Sequence, residues 1–116
     1  MDSLRESLSA IKQFCEDRDW DQFHDPKELA IGISTESNEL LDLFRFKREV
    51  DMAAMLANPV IREKISHELA DIFFFLARFA QRYEFDLIDA LDQKMQVNAT
   101  KYPVEKAKGS NRKYNE

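Results

Sequence analysis

Turn-forming residues are scarce in this chain, with only two glycines and three prolines among 116 residues. So few breaks exclude a fold of many short strands and favour long helices, which the abundant Leu, Ala, Glu, Lys, Asp and Phe support. Cysteine is nearly missing. Cys15 alone permits neither an internal disulfide nor a thiolate metal cluster, and among helix formers it reads as a small buried hydrophobe. Long apolar runs are missing as well. The longest, Ile72 to Ala77, falls far short of the roughly 20 residues of a membrane span, and the start MDSLRESLSA has no secretory apolar segment. An intracellular, cytoplasmic protein without a membrane partner is expected. Nor is there an excess of positive charge: a net −5 argues against nucleic acid held on a broad basic surface. The charge is uneven, because residues 101–116 carry five Lys or Arg against Glu105 and Glu116.

What is present is helical periodicity. Asp2 or Ser3 caps a first helix with Leu4, Leu8, Ile11 and Phe14/Cys15 at helical spacing, ending near Asp17 to Asp19. After the aromatic-rich stretch RDWDQFHDP, Asp25 and Pro26 open a second helix running to about Lys47. Residues 49–57 form a short helical connector. Asn58-Pro59 then starts a third helix reaching about Tyr83, and Asp86 caps a fourth that stops before Pro103. The expectation is an all-α, antiparallel four-helix bundle over residues 1–103, followed by a loosely ordered basic tail, 104–116. A hydrophobic content of 44% gives a modest core, which a second subunit would enlarge.

The second and third helices share a pattern at an offset of 32 residues. Leu29, Ile33, Glu36, Glu39, Leu40, Leu43 and Phe44 match Ile61, Ile65, Glu68, Asp71, Ile72, Phe75 and Leu76, acid for acid and apolar for apolar. At about 100° per residue, Glu36 and Glu68 fall inside the apolar stripes, with Glu39 and Asp71 at the edges. Two inward acid pairs facing each other combine desolvation with like-charge repulsion, and a divalent cation would offset both. All four are hard oxygen donors and no Glu-x-x-His accompanies them, which favours Mg²⁺, or Mn²⁺, over a di-iron site. The competing explanation is that the acids are solvated or paired with Arg and Lys. Arg45, Lys47, Arg48, Arg78 and Arg82 fall mostly on other faces, which weighs against pairing.

Glu36-x-x-Glu39 followed by Glu68-x-x-Asp71 resembles the signature of the MazG-like all-α nucleotide pyrophosphohydrolases. Arg18-Asp19-Trp20 with Gln22-Phe23-His24 and Pro26, then Lys94-Met95, Asn98, Tyr102-Pro103 and Ser110-x-Arg112-Lys113-Tyr114, resemble the dCTP pyrophosphatase branch, over nearly the whole chain. The resemblance implies hydrolysis of a (deoxy)nucleoside triphosphate, dCTP or a modified dCTP, to the monophosphate and pyrophosphate. It also implies a homodimer or homotetramer. By the same resemblance Glu36, Glu39, Glu68 and Asp71 hold Mg²⁺ and form the catalytic set. Trp20, Phe46 and Phe75 match aromatic positions that line a nucleobase pocket, and His24 offers a hydrogen bond from the same loop. Lys94, Asn98 and Lys101 share a face of the fourth helix that suits phosphate or sugar groups. Two departures bear on metal number and base choice. Thr35 stands where many such proteins have a further acid, and Phe46 and Phe75 replace aromatics that often bear a polar atom. The rival hypothesis is a non-catalytic helical dimer acting as a regulatory or interaction module, which has no need of inward acids.

Overall fold

Side chains predicted to cap helices do so. In the computed structural model, which describes residues 3–116, Ser3 accepts from the Glu6 amide and opens α1 (Leu4–Asp17). Asp2, the alternative cap, lies outside the described residues. A single 3₁₀ turn, Asp21–Phe23, leads to Asp25, which accepts from the Glu28 amide at 2.7 Å and starts α2 (Pro26–Phe44). The connector is α3 (Glu49–Ala57). Asn58 caps α4 (Pro59–Tyr83), Asp86 caps α5 (Leu87–Lys101), and one further turn, α6 (Val104–Ala107), follows. The described residues contain no strand, so the all-α expectation holds.

The second helix stops at Phe44 rather than near Lys47. Arg45 is extended, and Phe46 takes φ +63°, a left-handed conformation that a continuing helix cannot contain. The stretch after Pro103, expected to be loose, contains α6 and an aromatic contact, with the Tyr102 and Tyr114 rings edge to face at 6.1 Å.

The chain divides into two compact units, one ending at Glu84 and the other spanning Phe85–Glu116. In the first, α1, α2 and α3 all pack on α4. Its core contains Cys15, Leu29, Met55, Ile65, Ala77 and Ala80. Burial pushes the Cys15 thiol above its ordinary pKa, as befits a packing residue rather than a nucleophile. The helices α2 and α4 run antiparallel. Gly32 meets the Phe75 ring, and one heptad further along α2 Glu39 meets Glu68, one heptad earlier along α4. The two similar stripes seen in the sequence are thus laid head to tail against each other. A Cβ at Gly32 would stand 2.6 Å from the Phe75 ring, so the glycine permits a close approach of ring to helix backbone.

Candidate functional site

Antiparallel packing brings the acidic positions of the two stripes together. One carboxylate oxygen each from Glu36, Glu39 and Glu68 lies within 4.8 Å of the others. Glu36 and Glu68 are half-buried, and each has an Oε2 that is sealed from solvent with no hydrogen-bond partner. Asp71 is exposed at the rim, outside the tight group, yet near enough for its charge to act on Glu36 and Glu68. Burial pushes Glu36 up to about 7, reinforced by its hydrogen bond with Glu39 and by the charges of Glu39, Asp71 and Glu68. Burial also raises Glu68, with the Glu39 charge next in effect. Glu39 itself is exposed and opens on a depression lined by Thr35, Asn38, Asp42 and Arg45.

The ion pairs of the first unit lie elsewhere: Lys12 with Glu16, Arg45 with Asp42, Arg48 with Asp51, His67 with Glu63, and Arg78 and Arg82 with Asp21. None of the four acids has a cationic side-chain partner among the described residues. The pairing explanation of the acids therefore does not apply. A carboxylate cluster with orphaned oxygens fits a hard divalent cation. Its span is close to the roughly 4.2 Å that separates opposite oxygens around an octahedral Mg²⁺.

Three of the four predicted base-pocket residues converge. Trp20 packs edge to face with His24 at 6.2 Å, and His24 with Phe75 at 6.5 Å. Phe14 and Phe74, which sequence reasoning did not single out for the site, close the ring: Phe75 to Phe74 at 5.3 Å, Phe74 to Phe14 at 6.0 Å and Phe14 to Trp20 at 5.4 Å. The signal for Phe14 was its place on the apolar face of α1; that for Phe74 was adjacency to Phe75. His24 is half-buried with an unpartnered Nδ1, and burial, with the Arg78 charge second, holds its pKa below the usual histidine range. Phe46 is not in the cluster. It is 89% exposed, with the Arg45 guanidinium 4.7 Å from its ring centroid.

Lys94, Asn98 and Lys101 sit on α5, in the second unit. Lys94 and Lys101 are exposed and Asn98 is half-buried, and the Lys101 ammonium lies 4.7 Å from the Tyr114 ring centroid. Arg78, one of the cations expected to fall mostly on other faces than the acids, is only 2% exposed. Its spacing of three from Phe75 and seven from Asp71 was the available sign that it shares their side of the helix.

Fold and site together define an all-α protein whose two longest helices share an acidic cluster. The chain belongs to the MazG-like family, whose model matches residues 31–116. It is 36% identical over 104 residues to dCTP pyrophosphatase 1 of Homo sapiens, an alignment covering 90% of this chain and 61% of that protein. The similarity to dCTP pyrophosphatase 1 of Mus musculus is 35% over 102 residues, covering 88% of this chain and 60% of the relative. The chain thus spans about three fifths of the length of the curated relatives it matches. Among solved structures, a pyrophosphatase from Archaeoglobus fulgidus matches with a TM-score of 0.79 and 33% identity, covering 86% of this chain and 92% of that one.

Proposed function

We propose that the protein hydrolyses a (deoxy)nucleoside triphosphate, dCTP or a modified dCTP, to the monophosphate and pyrophosphate, using Mg²⁺ held by Glu36, Glu39, Glu68 and Asp71. One observation carries this reading: two buried carboxylate oxygens without hydrogen-bond partners, in a three-glutamate cluster that no Arg or Lys among the described residues pairs with. Left alone, such a cluster is held together against its own repulsion, and a divalent cation removes that penalty. When bound, the cation polarises phosphoryl oxygens and lowers the pKa of coordinated water.

The side chains divide the remaining work. Glu36, Glu39 and Glu68 hold the cation, with Asp71 at the solvent side. The edges and faces of Trp20, His24 and Phe75 flank the base, with His24 the polar member of the set. Phe46, exposed and held only by the Arg45 guanidinium, covers the base from the other side. The face of α5 that carries Lys94, Asn98 and Lys101 suits phosphate or sugar groups. The catalytic domain is residues 1–103 with a basic tail, 104–116, and the protein works as a homodimer or homotetramer on free nucleotides rather than nucleic acid. The relatives named dCTP pyrophosphatase 1 support the choice of substrate class.

The test is incubation of the pure protein with a panel of dNTPs and NTPs, in Mg²⁺, in Mn²⁺ and in chelator, with products identified by chromatography. Monophosphate and pyrophosphate appear in metal and not in chelator, with cytosine nucleotides turned over best. No monophosphate from any nucleotide would overturn the reading.

A further inference from the structure

The segment between α1 and α2 carries Trp20 and His24, yet its regular structure is a single 3₁₀ turn. What holds it is the last part of α4. The Arg78 guanidinium, 2% exposed, donates through Nη2 to Asp21 Oδ1 and through Nη1 to Gln81 Oε1 at 3.0 Å. Arg82 Nη1 lies 3.4 Å from Asp21 Oδ2, and its Nη2 donates to the Asp21 carbonyl at 3.3 Å. Tyr83 donates its hydroxyl to the His24 carbonyl at 3.0 Å. Asp21 directly follows Trp20, so these bonds grip the segment between the two aromatic side chains.

The same helix carries Glu68, Asp71 and Phe75, the last one turn before Arg78. A rigid helix with a rise of about 1.5 Å per residue therefore spaces the acidic cluster, the Phe75 ring and the anchors of the Trp20 segment along one line. Burying a guanidinium whose Nε has no partner is costly, and an apolar contact would hold a loop at least as firmly. Directional, charge-assisted bonds add register, which apolar packing does not supply.

We propose that Asp21 is a positioning residue: gripped by Arg78 and Arg82, it sets where Trp20 and His24 stand against Phe75 and so tunes affinity for the nucleoside part of the substrate. The inference rests on the pyrophosphohydrolase reading for its kinetic consequence, but not for its structural one. Trp20 is the chain's single tryptophan, so its fluorescence reports the segment directly.

The experiment compares the wild type with Asp21→Asn, Asp21→Glu and Arg82→Gln by far-UV circular dichroism, acrylamide quenching of Trp20 and steady-state hydrolysis of dCTP in Mg²⁺. Asp21→Asn keeps its helix content, quenches about twofold more readily, and raises KM about tenfold with kcat within about twofold, the signature of lost binding shared by ground and transition states. Asp21→Glu recovers part of the loss, and Arg82→Gln falls between. A folded Asp21→Asn with wild-type quenching and KM overturns the proposal, as does a fall in kcat at unchanged KM. Should Asp21→Asn not fold, Arg82→Gln, which leaves the Arg78 bond intact, decides by the same readouts. If the wild type turns over no nucleotide, the functional reading fails, while the Trp20 quenching comparison still decides whether Asp21 places the segment.

Discussion

Glu68 is the most informative side chain to change, because activity and stability respond in opposite directions. Glu68→Gln removes one of the mutually repelling carboxylates while keeping the shape. Turnover should fall by more than about 100-fold, since a cation ligand is lost. In chelator the melting temperature should hold or rise. Unchanged turnover would refute the metal-site assignment, and a lower melting point in chelator would refute the repulsion. Asp21 gives a prediction of opposite electrostatic sign. The hydrogen bond from Arg78, together with the charges of Arg78 and Arg82, holds its carboxyl below the ordinary aspartate pKa. A depressed folded pKa means that the stabilisation is fully present above the unfolded value and is lost as pH falls through the folded one. Wild type should therefore exceed Asp21→Asn by about 1.5 kcal/mol at pH 6, the low end for a charged hydrogen bond because Asp21 is partly solvated. The gap should close toward pH 3. Urea titrations at the two pH values check this, and a gap that widens in acid would be contrary. The two cases also show what was readable from sequence. Glu68 betrayed itself by interrupting an apolar stripe, a local signal. Asp21 and Arg78 are 57 residues apart, and no periodicity links a loop acid to a distant helix.

Helix starts were readable because each depends on one side chain and an amide two or three residues away, as with Ser3, Asp25, Asn58 and Asp86. The end of α2 was not. Nothing in Phe44-Arg45-Phe46 breaks a helix intrinsically, and the left-handed Phe46 reflects the path the chain takes into α3. Gly32 was equally silent. A lone glycine within a helical pattern reads as a tolerated cost, whereas here it admits the Phe75 ring against α2. Gly32→Ala sets two effects against each other. Helix propensity favours alanine by about 1 kcal/mol, while forcing a Cβ into a ring 2.6 Å away costs about 1–3 kcal/mol. The clash involves Phe75 Cγ as well as Cδ1 and Cε1, so simple ring rotation does not relieve it. Overpacking should win, with a net loss of about 1 kcal/mol. Phe75→Leu in the same background should recover part of it, a coupling that a denaturation double-mutant cycle measures. Additivity of the two substitutions would show that the helices separate freely there.

The self-association in the proposed function would draw on what one chain leaves uncovered. Leu69, Phe73 and Leu76 recur at helical spacing on α4, and all three remain substantially exposed. Beside them Ile11, Phe14, Phe73 and Phe74, with Ser7 and Ala10, line an apolar groove of about 360 Å³ between α1 and α4. A contiguous apolar surface of this kind marks an interaction site rather than scattered surface hydrophobes. A stable pair buries roughly 800 Å² per partner. In the two-subunit reading, the wild type sediments as a dimer or larger species at micromolar concentration. Leu69→Lys with Phe73→Lys should then shift it toward monomer. Both side chains are already partly solvated in the single chain, so the loss of intrachain packing is modest and helix content should survive. That separates the outcomes of a sedimentation velocity run. A folded double variant that dissociates places the interface on α4. A wild type that is monomeric throughout removes the dimer from the proposed function without touching the acidic cluster, whose three glutamates all come from α2 and α4 of one chain.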